Sequence, residues 1–77
     1  GQAVWALPGS SVELQDNHFT GWRNALVADG AEVSAHRNTV ADAVHAAFRV
    51  RRPTAPPRVA ENRVPNPGVR ELVIEVP

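Results

Sequence analysis

The chain has no cysteine, no methionine, no tyrosine and no lysine. Without cysteine, no disulfide framework and no thiolate metal site can staple it. At 77 residues it is one small domain or a piece of a larger one, and domains below about 80 residues bury little core of their own. No apolar run approaches the roughly 18–20 residues of a membrane-spanning helix. Charge of either sign is not in excess: 8 arginines balance 8 Asp and Glu. That balance removes the bulk electrostatic case for nucleic acid or an anionic membrane as the main partner. Gly1-Gln2-Ala3 is neither an initiator methionine nor the charged opening of a signal peptide, and reads as a cloning scar or the start of an excised segment. Any compartment suits a cysteine-free chain, so localisation stays open. The absences leave one question: what holds so short a chain together?

Alanine and valine dominate the apolar residues, and Ile74 is the only isoleucine. Valine favours strands, whereas alanine specifies little. Of the 7 prolines, all but Pro8 fall late, at Pro53, Pro56, Pro57, Pro65, Pro67 and Pro77. Proline lacks the N–H that a helix interior or a central strand needs, so these positions cut the second half into short extended pieces.

An internal repeat organises these pieces. Asp16-Asn17-His18-Phe19, Arg37-Asn38-Thr39-Val40 and Glu61-Asn62-Arg63-Val64 each read charged, Asn, polar, apolar. Leu14, Ala35 and Val59 lie three residues before each Asn; Val12, Val33 and Pro57 lie five before. A second phrase recurs at matching intervals: Val4-Trp5-Ala6, Leu26-Val27-Ala28, Phe48-Arg49-Val50 and Leu72-Val73-Ile74. A unit of about 21–24 residues cannot bury its own apolar face and must stack on its neighbours.

This pattern resembles the right-handed parallel β-helix repeat of the pectate-lyase-like superfamily. The resemblance covers nearly the whole chain and implies an all-β solenoid of about three coils plus a closing strand, spanning 1–77 as a single module. It also implies an inward ladder formed by Asn17, Asn38 and Asn62, each amide bonding the next coil. Stacked strands lie about 4.8 Å apart, so equivalent side chains touch. An Asn amide can bond both a neighbouring Asn and the bent backbone, and Asn also tolerates left-handed backbone angles at such a bend. The alternative is that the three Asn are ordinary turn residues.

Two charged columns accompany the repeat. Asp16, Arg37 and Glu61 precede the asparagines, and Asp29, Arg51 and Glu75 follow the other phrase. Both alternate in sign up the stack, which fixes register because like charges one coil apart would repel. One passage competes with this reading. Val40, Ala43, Val44, Ala47 and Phe48 fall on one face of a helix, so a small α+β domain with a helix near 39–48 is the alternative fold. The repeat instead predicts a loop over Ala41–Ala46 and a strand over Ala47–Val50.

Polysaccharide-processing β-helices carry acids, arginines and sometimes calcium ligands on an outer face. By that resemblance Asp16, Arg37 and Glu61, with Trp22 as a stacking platform, are candidate glycan contacts; His18, His36 and Arg63 flank them. The charge ladder explains the same residues without chemistry. No catalytic residue, cofactor or metal is assigned. The histidines 18, 36 and 45 share no column, no carboxylate pair repeats as a calcium site would require, and no phosphate loop or nucleophile motif occurs. Arg49, Arg51, Arg52 and Arg58 form a local cationic cluster, read as a solvated edge balanced by Asp29, Glu71 and Glu75. Trp5 and Trp22 are expected to cover a core end or pack a loop.

The ends suggest the function. A solenoid needs caps, and no polar capping helix is evident. Val4, Trp5, Leu72, Ile74 and Val76 are candidate interface residues, with Leu72, Ile74 and Val76 pointing inward. The expected partners are further copies, neighbouring coils of a parent protein, or a glycan. The primary expectation is a non-catalytic module for self-association or protein docking. The alternative is a carbohydrate-contacting segment of a polysaccharide lyase, epimerase or hydrolase.

Overall fold

A computed structural model describes residues 2–75. Nine strands follow one another: β1 (Gln2–Ala6), β2 (Ser11–Gln15), β3 (His18–Thr20), β4 (Asn24–Asp29), β5 (Glu32–His36), β6 (Thr39–Ala41), β7 (Ala46–Arg51), β8 (Arg58–Ala60) and β9 (Arg70–Glu75). All their pairings are parallel, and each strand pairs with the one a full coil later. Three walls result: a four-stranded sheet β1-β4-β7-β9, a three-stranded sheet β2-β5-β8 and a two-stranded sheet β3-β6. An isolated bridge, Thr39 to Arg63, carries the third wall into the third coil. The fold is a parallel β-solenoid of about three turns, and β9 starts a fourth layer.

The repeat phrases coincide with the register. Val4, Leu26, Phe48 and Leu72 stack, as do Ala6, Ala28, Val50 and Ile74. On the second wall Leu14, Ala35 and Val59 form a column. Inward side chains are small, with Ala28, Ala31, Ala35 and Ala46 fully buried around Leu26, Val33, Phe48 and Val50. Three walls around one narrow axis leave little volume per coil, which gives the alanine-rich composition its physical role: larger inward side chains would force the walls apart.

The helical alternative is overturned, because there is no helix among the described residues. Thr39–Ala41 and Ala46–Arg51 are strands, and the intervening turn leaves Val44 78% exposed. A helix would have buried Val44 beside Ala43 and Ala47. The strand also starts one residue earlier and ends one later than the repeat predicts, at Ala46 and Arg51.

Turns between walls use left-handed backbone. Asp16, Arg37 and Glu61 have φ of 56°, 56° and 59°, so the residue before each Asn, rather than the Asn itself, takes the unusual conformation. Asp42 and Arg52 do the same at two other corners. Gly30 is required where it stands: its φ is 65° and an added Cβ would lie 3.3 Å from Pro8 Cβ.

Candidate functional site

The corner between the second and third walls holds the asparagine column. Asn38 is 1% exposed. Its Oδ1 accepts the Asn17 backbone N–H at 3.0 Å, and its Nδ2 donates to Leu14 O at 2.9 Å and to Asn62 Oδ1 at 2.9 Å. One coil on, Asn62 Oδ1 accepts the Asn38 backbone N–H at 2.9 Å, and Asn62 Nδ2 donates to Ala35 O at 3.0 Å and Glu71 Oε2 at 3.1 Å. The rule is the same at each step. An Asn caps the backbone N–H of the Asn below it and donates to the carbonyl three residues before that Asn. The bend frees those backbone groups from strand pairing, and burial makes their satisfaction valuable.

Outside this column, Arg37 Nε donates to Asp16 Oδ1 at 3.0 Å, and Arg37 Nη2 donates to Asp16 Oδ2 at 3.3 Å. This bidentate bond holds the Asp16 carboxyl below the usual carboxylate range. Asp16, and more weakly the Glu61 charge on the other side, keep the Arg37 guanidinium more firmly protonated than usual. The second charged column aligns as the repeat implies, Asp29 to Arg51 to Glu75, but the ion pairs form elsewhere. Arg52 bonds Asp29 at 2.7 Å, and Arg49 Nε bonds Glu75. The Arg49 bond lowers the Glu75 carboxyl pKa, with Arg51 adding a weaker attraction. Arg52 reaches Asp29 because it occupies the left-handed corner beyond the strand.

The cationic cluster is therefore dispersed. Arg49 and Arg52 are paired, and Arg58 lies on a different wall. Among the described residues no group of three or more His, Asp or Glu side chains could hold a metal, no pocket opens, and no helix is long and apolar enough to cross a membrane. Ser34 and His36 lie 3.2 Å apart, Oγ to Nδ1, but Ser34 is buried and presents no open nucleophile. Asp16, Arg37 and Glu61 flank one corner of the third wall. Trp22, 40% exposed, follows β3 at the opposite corner. A three-residue strand, about 10 Å long, separates them, so these candidate glycan contacts do not form one cluster. Trp5 is 65% exposed and covers no core end.

The open third coil is the most distinctive surface. Val33, Ala35, Asn38 and Val40 in the second coil are buried. Their third-coil counterparts Pro57, Val59, Asn62 and Val64 are each only half-buried. In the first wall, Ala28 and Val50 are fully buried, while Ile74 above them is 49% exposed. Leu72 is half-buried in the column of Leu26 and Phe48. The inward expectation holds for Leu72; Ile74 shares an inward column yet stays exposed, because nothing covers it among the described residues. Val76 lies outside the described residues. At the other end Val4 is half-buried.

Two polar contacts escape the repeat. Asn24 is buried and donates to Ala46 O at 3.0 Å. Asn66 Oδ1 accepts the left-handed Asp42 N–H at 2.6 Å. Asn24 pairs in register with Ala46, so no column of asparagines announces it. Asn66 sits between two prolines and reads as plain loop. Its signal is its offset of 24 residues from Asp42.

No protein-family profile, no curated protein and no solved structure matches the chain.

Proposed function

We propose that this chain is a non-catalytic module, of the right-handed pectate-lyase-like kind, that self-associates or docks a protein through its end strands and flat faces. The observation that carries this reading is the contrast between the second and third coils. Equivalent positions that are buried in the one are half-exposed in the other, over a free strand edge that is itself a template for pairing. Supporting it, Asp16, Asp29 and Glu75 are each bonded to an arginine, and among the described residues no cleft opens beside the remaining charged groups. The carbohydrate reading has less support, since Trp22 stands apart from the Asp16 corner.

Sedimentation over a concentration series tests the self-association arm. The mass is expected to rise reversibly above the 8.3 kDa of one chain. Ile74→Asp, at an exposed position, is expected to reduce that rise while preserving the β-rich circular dichroism. A chain that stays monomeric at millimolar concentration, with an Ile74→Asp variant indistinguishable from it, would contradict self-association through this end.

A further inference from the structure

The outer faces of the three walls differ. On the second wall β2 turns out Ser11, Glu13 and Gln15, and on the third wall β3 turns out His18 and Thr20; all five are polar and exposed. The first wall is more apolar outside. Trp5 lies between the inward Val4 and Ala6 and is 65% exposed. In register with it stand Val27, Arg49 and Val73, each only half-buried. Their strand neighbours fill the interior, so this column is not needed there. An indole, valines and arginine at the centre of a flat face are the residue types enriched in the core of a protein interface.

The charges beside this column select the occupant. One step further along the strands, Asp29 and Arg51 also face outward, in register with each other. Arg51 is exposed and makes no ion pair among the described residues. Asp29 accepts from Arg52, and a carboxylate keeps acceptor sites beyond one such bond. Consider a twofold axis parallel to the strands, passing between β4 and β7. It reverses the stacking order and keeps each position along the strand. Asp29 of one copy then meets Arg51 of the other, twice, and Trp5 meets Val73, also twice. Val27 meets the aliphatic stem of Arg49. An axis along the stack instead sets each layer opposite itself, where β4 offers no cation to Asp29 and β7 no acid to Arg51. The face is self-complementary in one orientation, as a twofold dimer requires.

We propose that the outer face of the first wall binds a second copy of this chain in that orientation, with strands parallel and coils running in opposite order. The proposal rests on the self-association reading above and names the surface and geometry. Four strands of up to six residues present a face of about 15 by 20 Å. That is smaller than the roughly 800 Å² per partner of a standard interface, so the dimer is expected to be weak, with a Kd of about 100 µM.

Sedimentation of the chain should show a dimer and no larger species. Trp5→Gln, at an exposed position, should weaken it about tenfold. Asp29→Arg and Arg51→Glu each set like charges across the axis and should each be monomeric at concentrations where the parent chain is dimeric. Mixed in equal parts they should associate again, because both cross-axis pairs then carry opposite charge. Circular dichroism checks that each variant is folded. A second measurement needs neither charge change. The chain has no cysteine, so a nitroxide can be placed uniquely at Leu7→Cys, an exposed position. Mixed with unlabelled, isotope-enriched chain, it should broaden the Val73 and Glu75 amide signals of the other copy. A folded pair of charge variants that stays monomeric on mixing, or broadening confined to the second and third walls, would overturn the proposal. Association that survives Trp5→Gln but is lost in Ile74→Asp removes this inference alone; a chain monomeric at millimolar concentration removes the self-association reading as well.

Discussion

At the scale of single residues, the corner beside each Asn divides its work between two neighbours. One takes the left-handed backbone and the other supplies hydrogen bonds. The repeat exposes the Asn column because identical side chains recur at coil spacing. It does not expose which residue bears the positive φ, since Asp, Arg and Glu share only charge, and Asn is the better-known left-handed residue. The division makes unequal predictions for equivalent positions. Asn38→Ala removes an acceptor for the Asn17 N–H and donors to Leu14 O and Asn62, and should cost about 1–3 kcal/mol in denaturant unfolding. Asn17→Ala should cost much less, because its exposed amide makes no bond among the described residues. Gly30→Ala should lose about 1–2 kcal/mol, combining a left-handed alanine with the approach to Pro8.

At the scale of strands, apolar spacing alone misleads. Val40, Ala43, Val44, Ala47 and Phe48 satisfy a helical face, yet the chain turns at Asp42 and places Phe48 between Leu26 and Leu72. Tertiary pairing with strands a coil away decides the conformation, and only the repeat interval reports that pairing. Phe48 is the largest fully buried side chain. Phe48→Ala should destabilise by about 3–5 kcal/mol, enough to abolish cooperative melting in so small a domain. The charged columns show the same limit. The alignment of Asp29, Arg51 and Glu75 follows from the interval, but side-chain reach and the corner at Arg52 determine that Arg52 and Arg49 make the bonds.

Across the whole molecule, exposed ion pairs tie successive coils together. Asp16 and Glu75 both have lowered pKa values in the folded chain, owing first to their bonds with Arg37 and Arg49. Their contribution is present above the unfolded carboxylate values of about 4. It is lost as pH falls through the lower folded values. Melting temperature should therefore be flat near neutrality and drop in acid below about pH 4. Arg37→Gln should blunt the Asp16 share of that drop, and an unaltered acid limb in this variant would show that the pair does not contribute.

The chain first poses the question of how something so short and free of cysteine stays folded. Burial in the second coil and bonds between coils answer it, while equivalent positions in the first and third coils are less buried among the described residues. Amide hydrogen exchange resolved by residue tests that most directly, by comparing equivalent amides one coil apart. Arg37 N–H is bonded to Ala60 O and Asn38 N–H to Asn62 Oδ1. The corresponding Glu61 and Asn62 amides have no acceptor among the described residues. The account predicts slow exchange at Arg37 and Asn38 and fast exchange at Glu61 and Asn62 in the isolated chain. Equal protection of both pairs in a dilute, monomeric sample would contradict it, because the third coil would then be closed.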